Sequence, residues 1–478
     1  MSRLSLPWAS FMLLALAGCA GPAVETAKVP PLNPPPAWRG DAGPSAPMDR
    51  AWWQSFGDPE LSALVEKALA NNADIAIAAG RVREMRANVE RARGQLLPTI
   101  DASLGVQRLR AVSPFLQPSE QTAKQPQVQI AYEVDLFGRL ADGRDAARDA
   151  WFASEAARDA VRLSVAAAVA NGYVTLLGLD ARLGVARETV AARADSLRIA
   201  RSRAERGYSP KLELEQAQAE HDATAQIVPQ IELAIARTEN LLSQLTGETP
   251  QAIRRGVSLD RLVIPAIPEG LPSELLRRRP DVAQAEFQLA ASDKTLAVAR
   301  KRFLPQVRLS AASGEAFSTL LKNPISIWSF GGSVLAPIFE GGQLAAQADA
   351  AGAQRDQAAF AYRRAALNAF REVEDAQAAI RSNDSQIVFA QSQRKALAEG
   401  LRLASNRYRA GYSPYLEQLD AQRGLLGAQL SLIQLQSDAL SARIQLFQAM
   451  GGGWAPCAAG AESCALERPT AQADQARP

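Results

Sequence analysis

Four segments of the chain alternate apolar and polar residues with a period of two. In the first, Ile100, Ala102, Leu104 and Val106 oppose Asp101, Ser103, Gly105 and Gln107. The second sets Val128, Ile130, Tyr132, Val134 and Leu136 against Gln127, Gln129, Ala131, Glu133 and Asp135. The third sets Val307, Leu309 and Ala311 against Gln306, Arg308 and Ser310. The fourth sets Trp328, Phe330, Gly332 and Val334 against Ile327, Ser329, Gly331 and Ser333. Successive side chains of a strand point to opposite faces, so each segment predicts a strand with one apolar face. The strands fall in two pairs, 99–109 with 126–137 and 306–314 with 326–338. Lengths near ten residues fit strands that cross a membrane with lipid on one face and water on the other. A soluble sheet with one wet face carries the same pattern.

Each pair is followed by a helical hairpin. From Ala141 to Arg206 there is no proline, and the stretch is rich in Ala, Arg, Leu and Asp. It predicts one helix about 100 Å long at 1.5 Å per residue. Gln343 to Ala410 matches it. Helices of this length need lateral partners. The chain turns at Gly207-Tyr208-Ser209-Pro210, with Gly207 suited to a left-handed C′ position, Ser209 to an N-cap and Pro210 to N1 of the next helix. The second returning helix carries a coiled-coil heptad at Leu416, Leu419, Leu426, Leu430, Ile433, Leu440, Ile444 and Phe447, interrupted at Arg423 and Ser437. In the first, Pro229 is expected to kink the helix by crowding the carbonyl of Ala225.

The chain reads as two copies of one unit. Gly207-Tyr208-Ser209-Pro210 recurs 204 residues later as Gly411-Tyr412-Ser413-Pro414, and Leu245-Thr246-Gly247 as Ala449-Met450-Gly451. Asp74-Ile75 recurs at Asp281-Val282 and Leu97-Pro98 at Leu304-Pro305, both 207 residues on. The expected organisation is a first repeat at 51–250 with its hairpin at 141–246, a connecting segment at 251–271, a second repeat at 272–451 with its hairpin at 342–450, and a tail at 452–478. Four strands cannot close a barrel, and an open edge is not tolerated in lipid. Several chains must then contribute, and three would supply twelve strands.

The N-terminus names a compartment. Arg3 and the apolar run from Phe11 to Ala17 read as a signal peptide over residues 1–18. It ends in Leu16-Ala17-Gly18-Cys19, which resembles the bacterial lipobox and makes Cys19 the expected lipidation site. Ala20, rather than an aspartate, follows it and favours the outer membrane. Prolines at 22, 30, 31 and 34–36 make 19–50 a stiff, lipidated linker. These features, with the repeat, decide for membrane strands over a soluble sheet. Apart from the signal peptide no apolar run near 18 residues is expected. Cys457 and Cys464 are placed to close a short loop by a disulfide in an oxidising compartment.

Composition removes other classes. The formal net charge is +3 and no basic stripe interleaves with aromatics, which argues against a nucleic-acid partner. One histidine and three cysteines argue against a His/Cys metal site and against most catalytic triads. His221, in Glu220-His221-Asp222, reads as an exposed helical residue. No catalytic residue, cofactor or metal is expected.

Taken together, the lipobox, the two strand pairs, the two hairpins and the ending Ala449-Met450-Gly451-Gly452-Gly453-Trp454 resemble the TolC-like outer-membrane efflux proteins, and within them the lipidated NodT-type factors of resistance–nodulation–division systems. The segment from Arg409 to Arg423 is very like that subgroup's second tip, and Trp52-Trp53 with Phe56, Asp58 and Leu61 resembles its mature N-terminus. The resemblance covers roughly residues 16–455. It implies a mixed α and β membrane protein: a homotrimer with a twelve-stranded outer-membrane β-barrel, continued by a long periplasmic α-helical tunnel. It also implies a passive duct for small molecules, energised by an inner-membrane pump through a periplasmic adaptor. The adaptor would meet the tips, Gly207, Tyr208, Ser209 and Pro210 with Gly411, Tyr412, Ser413 and Pro414. A resting gate near the second tip would involve Leu403, Asn406 and Arg407. The same architecture serving a type I protein secretion system is the alternative; a structural lipoprotein without a pore and an enzyme built on His221 are weaker ones.

Overall fold

The computed structural model describes residues 24–39, 45–46, 48–112, 118–268, 272–319 and 321–454. Cys19, Cys457 and Cys464 lie outside the described residues. In chain order the main elements are α1 (Pro59–Asn71), α2 (Ala73–Gly94), β1 (Thr99–Val112), β2 (Pro118–Val134), α3 (Arg139–Glu205), α4 (Lys211–Ala225), α5 (Ile227–Leu245), α6 (Pro272–Arg278), α7 (Pro280–Lys301), β3 (Gln306–Ser318), β4 (Ile325–Leu335), α8 (Gln343–Arg409) and α9 (Tyr415–Ala449). They fall into two compact units. One joins Ala78–Ala156 and Gln284–Ala365 to the chain before Asn33; the other contains Asn33–Ile77, Ala157–Ala283 and the chain from Ala366.

The first unit holds a four-stranded antiparallel sheet in the order β1-β2-β3-β4. Its register aligns Ile100, Ile130, Ala311 and Phe330 in one row and Ala102, Val128, Ser313 and Trp328 in the next. The apolar residues of all four strands therefore share a face, because pairing opposes residues whose side chains point the same way. That face is uncovered: Ile100 is 69% exposed, Trp328 77% and Phe330 76%.

The strands are longer at the hairpin ends than the sequence predicts. β1 reaches Val112, β3 reaches Ser318, and β2 begins at Pro118 rather than at residue 126. Pro126 has no N–H to give to a ladder. In the structure β2 pairs with β1 straight through it, while pairing with β3 lapses at Gln125 and Pro126 and resumes at Lys124. At the other end β2 stops at Val134, so Leu136 lies in the turn, and β4 stops at Leu335, two residues before Pro337.

Strand passes to helix through a fixed joint. The Asp135 carboxylate accepts the Leu140 and Ala141 N–H groups at 3.0 and 2.8 Å, capping α3. Asp142 receives Lys294 at 3.2 Å and Lys301 at 2.5 Å. Burial opposes its charge, but the two lysines hold its carboxyl below the usual carboxylate range.

The second unit packs around Trp52, Phe56, Tyr173, Leu176, Leu242, Ile444 and Phe447. Trp52 stacks on Phe447 at 5.3 Å between ring centroids. Asp58 is the buried polar centre. Its Oδ1 accepts the Glu60 and Leu61 N–H groups, capping α1, and its Oδ2 accepts Tyr173 Oη at 2.8 Å and the Val257 N–H at 3.1 Å. Burial, with Asp58 adding to it, holds the Tyr173 phenol above its ordinary range, so it remains a donor.

Both halves end alike. Gly247 (φ 74°) and Gly451 (φ 93°) close Schellman turns after α5 and α9. Beside them Asn72 donates to the Leu245 carbonyl at 2.9 Å, and Arg279 donates to the Ala449 carbonyl at 3.0 Å.

Two expectations for the helices need correction. α3 does carry an 18-residue window apolar enough to cross a membrane, but 56% of that window is buried within the structure. Its Ala-rich run, including Val165, Val169, Tyr173 and Leu176, feeds the core instead. The heptad of α9 also departs at its start: Leu416 is half exposed and Tyr415 is buried in its place, while Leu419 is buried as expected. The two interruptions have partners. Ser437 lies where α3 comes close at Gly178, whose missing Cβ would overlap Ser437 Oγ, and Arg423 reaches an acid described below. The first returning helix is interrupted at Gln226, four residues after Asp222 and three before Pro229.

Asp58→Ala would remove the α1 cap and orphan a buried phenol and an N–H. The expected cost is about 2–4 kcal/mol, read as a lowered denaturant midpoint of the helical signal. A loss below about 0.5 kcal/mol, the range of an ordinary surface change, would contradict the role given to this carboxylate.

Candidate functional site

The two hairpin turns are built identically. After α3, Gly207 adopts φ 74°, its N–H donates to the Ala204 carbonyl at 3.1 Å, and the Tyr208 N–H donates to the Arg203 carbonyl at 2.8 Å. After α8, Gly411 adopts φ 81°, with matching bonds from Gly411 to Tyr408 at 3.0 Å and from Tyr412 to Arg407 at 2.9 Å. An added Cβ would meet nothing within 4 Å at either glycine. The left-handed backbone alone demands glycine there. Tyr208 and Tyr412 are 80% and 81% exposed, so an aromatic ring stands out at each turn.

The serines do not cap as the sequence suggests. Pro210 and Pro414 occupy the N-cap positions, without any side-chain cap, and Ser209 Oγ and Ser413 Oγ are buried without a partner. The start of each helix is displaced by one residue. Glu213 and Glu417 therefore stand at N3, where their charge favours the helix N-terminus.

Beneath the turns Leu197, Ala200, Ala217, Tyr408, Tyr415 and Leu419 form a small core. Tyr408 and Tyr415 meet at 5.5 Å, and the Arg203 guanidinium lies 4.6 Å from the Tyr408 ring centre. Arg203 also points to the Arg409 carbonyl at 3.4 Å. Burial raises both phenols above their ordinary range.

Further along the hairpins, Glu220 is buried between two arginines. Its Oε2 accepts Arg193 at 2.8 Å and its Oε1 accepts Arg423 Nε at 2.9 Å. Arg193 is 4% exposed and also reaches the Glu220 carbonyl and Thr224 Oγ1. Burial pulls the Arg193 guanidinium below its usual range, against the pull of Glu220. Glu220 belongs to α4, Arg193 to α3 and Arg423 to α9, so one carboxylate ties three helices. Ser196 and Gln422 make a second tie at 3.3 Å. The sequence marked this triad only indirectly, as a charged residue in the seam of α9.

Of the other candidates, Leu403, Asn406 and Arg407 lie together on α8 and are exposed. Arg407 Nη1 is 3.3 Å from Glu417 Oε1 across the second turn. His221 is half-buried rather than exposed, with its Nδ1 2.9 Å from Asp222 Oδ1.

A further element was not legible in the sequence. Residues 24–39 run along α8. Val24 packs with Leu296, Ala299, Ala348 and Ala351, the Ala27 N–H donates to Asp356 at 2.8 Å, and Arg363 donates to the Pro30 carbonyl at 2.6 Å. Within the second unit Trp38 meets Phe370 at 6.5 Å. Gly352 leaves the room: a Cβ there would overlap Val24 Cγ1. Prolines hold the strap extended, and the helix supplies donors to its free carbonyls.

An exposed apolar sheet, long paired helices and matching glycine turns define an outer-membrane duct. The chain matches the outer membrane efflux protein family over residues 64–248 and 271–452 and belongs to it. It is 33% identical over 437 residues to the pyoverdine export outer membrane protein OpmQ of Pseudomonas aeruginosa, covering 88% of this chain and 92% of that one. It is 30% identical over 455 residues to the probable outer membrane lipoprotein SilC of Salmonella typhimurium, covering 92% and 97%. The solved structure of the outer-membrane channel OprN superposes with a TM-score of 0.81 at 27% identity, covering 91% of this chain and 99% of that one. The protein is an outer-membrane efflux channel, a transport duct and not an enzyme.

Glu220→Ala would strand Arg193 in a buried site and cost about 3–5 kcal/mol, whereas Arg423→Ala, at a half-exposed position, would cost at most about 1 kcal/mol. Hydrogen exchange at the hairpin ends is the readout, and equal losses for the two variants would contradict a buried triad centred on Glu220.

Proposed function

We propose that three copies of the chain close one twelve-stranded barrel in the outer membrane, each giving β1 to β4, and that their helices form a periplasmic tunnel. The observation that carries this is the sheet itself. Its apolar face is uncovered, and the outer edges of β1 and β4 have no partner among the described strands. Lipid covers the face, and only a neighbouring copy can pair the edges. The halves 51–250 and 272–451, joined by 251–271, are read as one duplicated unit. The matching turns at Gly207 and Gly411 and the matching ends at Gly247 and Gly451 support this.

In this reading Cys19 carries the lipid. Val24, five residues on, sits against the first turns of α8, which follow directly from β4. That leaves at most about 18 Å of chain between lipid and strap, which suits an anchor in the leaflet next to the sheet. The hairpin turns meet a periplasmic adaptor, and an inner-membrane resistance–nodulation–division pump drives export of small molecules. The named functions of the relatives favour efflux over protein secretion.

The resting gate lies at the second turn. Leu403 gives a dry constriction, with Asn406 and Arg407 one turn nearer the tip. Arg407 meets Glu417 of its own chain, so three such pairs around an axis form a ring without net repulsion. Opening requires the hairpins to move apart, and the adaptor favours the open packing through contacts made only there.

Phe330→Arg should cost about 2–4 kcal/mol per chain if the side chain faces the hydrocarbon midplane and should sharply reduce assembled trimers in the outer membrane. Ser329→Arg, on the opposite face, should be tolerated. Equal trimer yields for the two would contradict the lipid-facing assignment.

For the gate, Leu403→Ser with Arg407→Ser should raise conductance in a planar bilayer and sensitise cells to large antibiotics. Wild-type conductance in the double variant would move the closure elsewhere.

A further inference from the structure

All four connections between helix and strand lie at one end of the sheet, since the register opposes Thr99 to Ala131, Val134 to Val307 and Gln306 to Leu335. Large apolar side chains stand exposed in three of these connections: Leu97 before β1, Leu136 and Phe137 after β2, and Ile338 and Phe339 after β4. Ile338 and Phe339 are 98% and 88% exposed, more than any large apolar residue of the sheet face. Neither belongs to a strand, so strand pairing does not explain them.

Beside this apolar rim is a band of positive charge. The last turn of α2 carries Arg91 and Arg93, and α7 ends in Arg300 and Lys301, followed by Arg302. Lys301 is engaged by Asp142 and the Gly138 carbonyl. The arginines are not neutralised. Arg300 donates to the Val24 carbonyl at 3.3 Å and Arg302 to the Gln347 side-chain oxygen at 2.6 Å. Among the described residues no carboxylate lies within ion-pair distance of Arg91, Arg93, Arg300 or Arg302. The exposed acids near them in sequence are Glu84, Glu90, Asp101 and Asp293, and of these Asp293 pairs with Arg355.

We propose that this rim is a collar that binds anionic phospholipids of the leaflet next to the helices, with the apolar side chains in the acyl boundary and the arginines on the headgroup phosphates. It rests on the reading of the sheet as lipid-embedded. An apolar ring flanked by cations is the pattern of a membrane interface. Arginine suits the task because its planar fork takes two phosphate oxygens at once and its stem lies along apolar surface. The donors Arg300 and Arg302 already hold neutral oxygens, which a phosphate would exchange for charge-assisted bonds. The collar also fits the strap: Arg300 touches Val24, so the lipidated end of the chain and the headgroup site adjoin.

The test uses the full-length protein purified in mixed micelles, with lipid retention measured by native mass spectrometry for phosphatidylglycerol and for phosphatidylcholine. The wild type should retain phosphatidylglycerol in preference. The Arg93→Gln, Arg300→Gln, Arg302→Gln variant should lose that preference, with affinity falling about fivefold for each arginine removed, while phosphatidylcholine retention stays unchanged. The preference should shrink with added salt. Equal retention of the two lipids by the wild type, or an undiminished preference in the variant, would overturn the collar. Complete displacement of the lipid by an equal concentration of inorganic phosphate would overturn it too, since the apolar rim would then play no part. Protease protection of the strands in wild-type membranes separates the two readings: digestion of β1 to β4 overturns the embedded sheet and the collar together, whereas protection with no lipid preference overturns the collar alone.

Discussion

A backbone N–H or C=O inside hydrocarbon has no water to bond, and each one left unpaired costs several kcal/mol. That constraint governs this protein. Among the described residues its sheet satisfies the inner ladders of four strands and leaves two edges open. A sheet with one uncovered apolar face and two bare edges is unstable alone in either water or lipid. In the proposed assembly, identical neighbours pair the edges and lipid covers the face.

The helices solve a different problem with the same economy of parts. A very long helix has no single core to enter, so each is stabilised by successive local contacts: α3 by the Trp52–Phe447 core, the Glu220 triad and the small core near the turns, α8 by the strap at Ala348 and Ala351, by the Asp384–Arg443 pair and by Tyr408 near the turn. The ends of the hairpins depend on backbone geometry, not on packing. Gly207 and Gly411 touch nothing that a Cβ would disturb, yet their positive φ excludes almost any other residue. Each turn exposes an aromatic ring, Tyr208 or Tyr412.

What the sequence made legible was periodic or repeated. Alternation along Ile100–Val106 and Trp328–Val334 identified the apolar face because a strand's side chains change side at every residue. The Gly-Tyr-Ser-Pro turns announced both hairpin ends because a left-handed position needs glycine. The failures came where a residue's usual preference was outweighed by its neighbours. Ser209 and Ser413 are good caps in isolation, but the proline after each takes the cap position. The second strand is expected to begin at residue 126, yet β2 carries on through Pro126 to Pro118 on the β1 side. The Glu220 triad spans residues 193 to 423, and no local pattern records such a contact. The strap leaves no periodic trace, because the carbonyls of its prolines are held by Arg363, on a helix more than 300 residues away.

The most direct test of the account is a disulfide between chains. With a cysteine replacing Gly105 on β1, and a second replacing Ile327, Ser329 or Gly331 on β4, oxidation of the protein in outer membranes should link β4 of one copy to β1 of the next. For at least one pair, denaturing gels should show a closed, covalent three-chain species. If none of the pairs links chains while the protein remains in the outer membrane, the edges do not meet a neighbouring copy and the shared barrel is wrong.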